Sequence, residues 1–168
     1  MKTIRRLLLA MALIALAAPQ VSAQNTVFVV RHAEKAVVTG QGGMMAEDPD
    51  LSEEGRARAE SLAGMLKAAG IKAIFATEYK RTQQTVEPLA KALGIQVTRI
   101  GSRETAKLVE MVRKADGNVL VAGHSNTVPE VLKMLGIQDP VTIDESEYDN
   151  LFIVSTGAQP HMVRLHFR

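Results

Sequence analysis

Beyond residue 24 the chain alternates between two kinds of apolar pattern. Four short runs, at 26–30, 72–76, 95–99 and 118–122, read as strands, three of them with four apolar residues in five. Interleaved with them, apolar residues recur at i, i+3, i+4 and i+7. The sets are Leu62/Met65/Leu66/Ala69, Val86/Leu89/Ala90/Leu93, Leu108/Met111/Val112/Ala115 and Val128/Val131/Leu132/Leu135. That spacing puts each set on one helical face and predicts helices over about 52–69, 80–93, 103–115 and 126–135. Each stripe can cover one face of a sheet.

Glycines punctuate the pattern. Gly70 and Gly94 follow helices as C-terminal caps, each leading into an apolar residue, and Gly136 does the same for the fourth helix. The C-terminal end has a different rhythm. Asn150 to Ser155 reads as a strand, Thr156 to Pro160 as a turn, and Val163/Leu165/Phe167 alternate with Arg164/His166, which predicts a hairpin. The expected fold is α/β: a three-layer sandwich with a mostly parallel central sheet flanked by helices and a C-terminal antiparallel hairpin at the edge. Ala36 to Asp50 fits neither pattern. With Gly40, Gly42, Gly43 and Pro49 it reads as a connection, either solvated or a mobile rim over a site.

The N-terminus stands apart. Lys2, Arg5 and Arg6 precede the apolar run Leu7 to Ala18, and Val21-Ser22-Ala23 is a small-residue cleavage signature. The run is short against the roughly 20 residues of a spanning helix. Residues 1–23 therefore read as a secretory signal peptide and 24–168 as a single domain, exported to a bacterial periplasm with no stable membrane insertion after signal removal. Removing 1–23 takes away three bases and no acid, which turns the formal charge of +2 into −1. The sequence pI near 9.0 thus owes much to the export segment. With no basic stripe and only six Phe and Tyr residues, nothing points to nucleic acid. The chain has no cysteine, which excludes disulfides and thiol chemistry and suits an oxidising compartment. Oligomeric state is not written in the pattern.

The candidate chemistry sits where the apolar runs stop. Val27 to Val30 ends in Arg31-His32-Ala33-Glu34, and Val119 to Ala122 ends in Gly123-His124-Ser125-Asn126. In open α/β sheets, ligands bind outside the carboxyl ends of the strands. A neutral imidazole at His32 is a phosphorus nucleophile. Arg31 offers a bidentate donor for a phosphoryl group, and His124 offers another. Arg81 follows the second strand at a helix start, a position that favours anions. Asn126 and Glu34 join the substrate-binding candidates. His32, Glu34 and His124 could alternatively form a metal site, but the paired arginines suit an anion better.

These residues resemble the histidine phosphatase superfamily, also called phosphoglycerate mutase-like. Arg31-His32-Ala33-Glu34 is similar to its Arg-His-Gly motif, with alanine in place of glycine. Thr77 to Thr85 is similar to its Ser/Thr-x-x-x-Arg-x-x-Gln-Thr segment, Gly123 to Asn126 to its second-histidine motif, and Leu51 to Arg56 to the opening of its first helix. The resemblance implies a phosphohistidine intermediate on His32, with Arg31, Arg81 and His124 holding the phosphoryl group, and neither metal nor other cofactor. It implies a metal-independent phosphatase for small phosphomonoesters. For the general acid that an alkoxide leaving group requires, the family's glutamate after the third strand points to Glu104, with Glu34 and Glu78 as the other nearby acids. Two alternatives stand beside this reading: a phosphate- or sugar-phosphate-binding module with little turnover, and a phosphoglycerate mutase-like phosphotransferase.

Overall fold

The computed structural model of the protein describes residues 25–37 and 48–168. The expected signal segment and most of the 36–50 connection lie outside the described residues. The elements follow in the order β1 (Thr26–Arg31), α1 (Glu53–Leu66), β2 (Ile71–Thr77), α2 (Lys80–Leu93), β3 (Val97–Ile100), α3 (Thr105–Lys114), β4 (Asn118–Gly123), α4 (Thr127–Met134), β5 (Asn150–Ser155) and β6 (His161–His166).

One six-stranded sheet runs β3-β2-β4-β1-β5-β6. The first four strands in that order are parallel; β5 returns antiparallel to β1, and β6 pairs antiparallel with β5 at the edge. Both faces are covered because alternate strand residues point opposite ways. Val27, Val29, Val119 and Val121 pack with Leu108, Val112, Val128, Val131 and Leu132 of α3 and α4. Phe28, Val30, Leu120 and Ala122 pack with Leu62, Leu66, Val86 and Leu89 of α1 and α2. The expected three layers and edge hairpin are present.

Two local expectations need correction. Met65 in the α1 stripe is 45% exposed. The buried face of α1 is instead Gly55, Ala59, Leu62, Ala63 and Leu66. The expected start of β3 at Ile95 belongs to the preceding helix end. Gly94 takes φ +66, and the Ile95 N–H bonds the Ala90 carbonyl, so the first residues after α2 close its cap before the strand begins at Val97.

Candidate active site

The register of the two central strands builds the site. Arg31 of β1 is paired with Gly123 of β4, so the next residues, His32 and His124, leave the sheet side by side. The His32 N–H bonds the Gly123 carbonyl at 2.9 Å, and the two imidazoles lie 5.3 Å apart, edge to face. Gly123 is required here, since a Cβ would stand 2.7 Å from Thr127 Oγ1. That hydroxyl accepts the His124 N–H and so anchors the turn into α4. Arg81 arrives from the first turn of α2. Together Arg31, His32, Arg81, His124 and Asn126 line a cavity of about 340 Å³ at the carboxyl ends of the parallel strands.

The protonation pattern of both histidines follows from their partners. His32 Nδ1 lies 2.7 Å from the Ala33 carbonyl, which can only accept. Nδ1 therefore carries the proton, and Nε2 holds the lone pair. Burial, reinforced by the neighbouring His124, Arg31 and Arg81, pushes the His32 pKa down to about 3 against the opposing pull of the Ala33 carbonyl. The ring is neutral at neutral pH. His124 Nε2 lies 2.9 Å from Thr77 Oγ1, which lies 2.8 Å from Thr82 Oγ1; that hydroxyl in turn donates to the Tyr79 carbonyl at 2.7 Å. Each hydroxyl has one proton, so the chain satisfies itself only if His124 donates from Nε2. Burial first, and Arg81 second, push the His124 pKa down to about 4.

The two guanidiniums are braced differently. Arg31, 2% exposed, lies 4.3 Å over the Tyr148 ring. Its Nη1 donates to the carbonyls of Asp144 and Glu147 at 2.7 and 3.1 Å, and its Nη2 meets Glu145 Oε2 at 2.7 Å. Arg81 lies 4.4 Å over Tyr79, with Asp48 at 3.6 Å. Among the described residues, three buried side-chain polar atoms lack a protein partner, and two of them are the Nε atoms of Arg31 and Arg81. Two guanidiniums beside a neutral imidazole in one cavity suit an acceptor-rich anion.

The remaining acids named from sequence do not enter the cavity. Glu34 is held by Arg58 of α1 at 2.5 Å and does not line the cavity. That removes it from the hypothetical metal set with His32 and His124, and no three His, Asp or Glu side chains among the described residues cluster to hold an ion. Glu78 accepts from the N–H and hydroxyl of Ser102, holding the loop after β3 against the site. Glu104 accepts from the Gly101 N–H and from Lys107 and is solvent-exposed. These two bonds draw its carboxyl below the usual range, Lys107 contributing most. Ala33 does not line the cavity. Its N–H bonds Thr85 Oγ1, and it packs with Leu51 and Ala59. Sequence reasoning missed Lys35, Tyr79, Ser125 and Glu145 in the cavity wall and Tyr148 behind Arg31. The acidic run Asp144 to Asp149, set just before β5, was the available signal for the last two.

The sequence model of the histidine phosphatase superfamily (branch 1) matches residues 27–111. The 8-oxo-(d)GTP phosphatase of Mycolicibacterium smegmatis is 40% identical over 69 residues, 41% of this chain and 21% of that protein. The chain thus spans about a fifth of the length of this relative. Among solved structures, the protein histidine phosphatase SixA complexed with tungstate superposes with a TM-score of 0.63 at 17% identity, over 84% of this chain and 96% of that one. Mycobacterial glucosyl-3-phosphoglycerate phosphatase with inorganic phosphate gives 0.65 at 14% identity, over 83% and 95%. At these identities the superpositions establish a shared fold.

Proposed function

Because the chain belongs to the histidine phosphatase superfamily (branch 1), we propose that it is a phosphatase that passes a phosphoryl group first to His32 and then to water. The observation that carries this reading is the free Nε2 of His32. Its neighbouring Nδ1–H is fixed on the Ala33 carbonyl, and His124, Arg31 and Arg81 stand around it in one cavity.

In the first step the His32 Nε2 lone pair attacks phosphorus while the bond to the leaving oxygen breaks. Arg31 and Arg81 bind the non-bridging oxygens, and their charge matters most where the transferring group spreads its own. A dianion beside His124 favours the protonated imidazole, which then donates from both nitrogens, to Thr77 and to the phosphoryl group. Water next attacks phospho-His32, the P–N bond breaks, and the electron pair returns to Nε2. No step calls on a metal or cofactor. The substrate class is a small phosphorylated molecule, with phosphomonoesters as the working expectation. Export is part of the same reading, with residues 1–23 removed and the 24–168 domain acting in the periplasm. Among the described residues no helix is long and apolar enough to cross a membrane.

The test is trapping of an acid-labile phosphoenzyme from p-nitrophenyl phosphate with chelator present. Wild type is expected to carry label on His32, and His32→Ala none, with hydrolysis lost. Equal turnover by the variant would overturn the mechanism. Phosphate binding without label or hydrolysis in wild type would leave a binding module. N-terminal sequencing of the periplasmic protein, with Gln24 expected first, checks export.

A further inference from the structure

Among the described residues, a single carboxylate lines the cavity: Glu145. Its Oε2 sits 2.7 Å from Arg31 Nη2 and its Oε1 accepts the Ser125 hydroxyl at 2.5 Å. Ser125 directly follows His124, so the carboxylate bridges the arginine at the end of β1 and the turn at the end of β4. The side chain is nonetheless 77% exposed. It is held by two polar contacts and packed by little, so it can swing without disturbing the core. The backbone that carries it is fixed, because the carbonyls on either side, Asp144 and Glu147, hold Arg31 Nη1. Glu145 therefore occupies the terminal nitrogen of Arg31 that the backbone carbonyls leave over.

We infer that Glu145 is the general acid and base of this site, kept on Arg31 when the site is empty and displaced by the phosphoryl group toward the leaving oxygen. The inference rests on the phosphatase reading above. Displacement changes the carboxyl group's surroundings. In the empty site the Ser125 hydroxyl, then Arg31, and more distantly Lys35 keep it ionised. Once the phosphoryl oxygens have taken Arg31, Glu145 faces a dianion. Arg31 and Lys35 still act on it through space, but the dianion now offsets the Arg31 charge, and Arg103, Arg81 and His124 stand elsewhere in the wall. Proximity of like charge favours the protonated carboxyl. In the first step His32 Nε2 attacks phosphorus, the phosphorus–oxygen bond breaks, and the leaving oxygen takes the electron pair and the Glu145 proton. In the second, the Glu145 carboxylate takes a proton from water as its oxygen attacks phosphorus and the electron pair returns to His32. The proton count closes: one phosphoester and one water give one alcohol and inorganic phosphate, with Glu145 protonated again. None of Glu34, Glu78 and Glu104 lines this cavity.

The experiment compares wild type with Glu145→Gln on two substrates that differ in leaving group, glycerol 2-phosphate and p-nitrophenyl phosphate. The alkoxide needs a proton, and nitrophenolate does not. Glu145→Gln is expected to lose at least about 100-fold in kcat/KM on glycerol 2-phosphate and less than about tenfold on p-nitrophenyl phosphate. With the aryl substrate it should release one equivalent of nitrophenolate in a burst and accumulate phospho-His32, since water then lacks its base. Glu145→Asp should recover part of the alkyl activity. Equal losses on both substrates without a burst would overturn the assignment. So would a gain on both, which would make Glu145 only a competitor of substrate for Arg31. A wild type that hydrolyses neither substrate and forms no phospho-His32 would instead sink the phosphatase reading itself.

Discussion

At the scale of single residues, the site is a set of side chains whose polar atoms are assigned in advance. Thr77 shows what that assignment contributes. It is 3% exposed, and its hydroxyl joins His124 Nε2 to Thr82. Thr77→Val keeps the shape but leaves the buried His124 N–H without an acceptor, which costs about 1–3 kcal/mol. The freed ring can also turn away from the phosphoryl position, and misplacement of such a group lowers turnover by roughly 10- to 100-fold. The expected result is a loss of both denaturation midpoint and kcat/KM, with the phosphoenzyme still formed on His32. An unchanged kcat/KM would show that the hydroxyl chain does not orient the ring. Arg31 has a comparable dependence on shape. Its planar group lies on Tyr148 while Nη1 and Nη2 serve different acceptors. A lysine keeps the charge but can neither stack nor fork. Arg31→Lys should therefore cost about 100-fold in kcat/KM, as measured on p-nitrophenyl phosphate.

At the scale of elements, the polar residues of α2 serve the loop that follows β1. Thr85 accepts the Ala33 N–H, and Gln84 accepts the Leu51 N–H while donating to Asp50. Helix α1 presses on the same loop through a glycine. A Cβ on Gly55 would stand 2.2 Å from the Glu34 carbonyl oxygen, whereas one on Gly64 in the same helix would meet nothing within 4 Å. Gly55→Ala should destabilise the protein by about 1–3 kcal/mol through backbone displacement. Gly64→Ala should stabilise it by up to about 1 kcal/mol through helix propensity. Chemical denaturation of the pair checks both signs. The same contact accounts for the misleading stripe of α1. Its buried face is built largely from Gly55, Ala59 and Ala63, which close approach demands and hydrophobic spacing undervalues, so the spacing favours Met65 instead. The strand ends are legible for the opposite reason. An arginine and a histidine directly after a buried apolar run would be costly to bury without a partner, so the sequence marks a polar pocket there. Glu145 and Tyr148 are marked in the sequence only by the acidic run before β5, which does not say that they reach Arg31 across more than a hundred residues. Glu104 shows a further limit. An acid before a helix reads the same whether it serves a substrate or, as here, the Gly101 N–H.

At the scale of the whole molecule, the site is bound to the fold's response to pH. His32 and His124 are 4% and 9% exposed and are held neutral, with pKa values lowered to about 3 and about 4. In the unfolded chain both return to the ordinary value near 6.5. Between those limits the unfolded state binds more protons, so stability rises with pH there. The contribution is complete above about pH 7, declines as pH falls through 6.5, and continues to decline toward the folded values. At pH 5 the loss is about 2 kcal/mol per histidine, before most carboxylates begin to titrate. Denaturation midpoints between pH 8 and pH 5 should therefore be flat at the upper end and fall steadily below pH 6.5. In the His32→Asn/His124→Asn double variant the fall should be largely removed. A variant as steep as wild type would mean that other groups carry the dependence. Bound anion enters the same balance. Orthophosphate at 100 times its dissociation constant adds about 2.7 kcal/mol to the folded state. Because it also favours protonated His124, it should flatten the acid side of the wild-type curve as well as raise it. Phosphate that raised every point equally, with no change in slope, would place the anion away from His124 and would dissociate the cavity described here from the chemistry proposed for it.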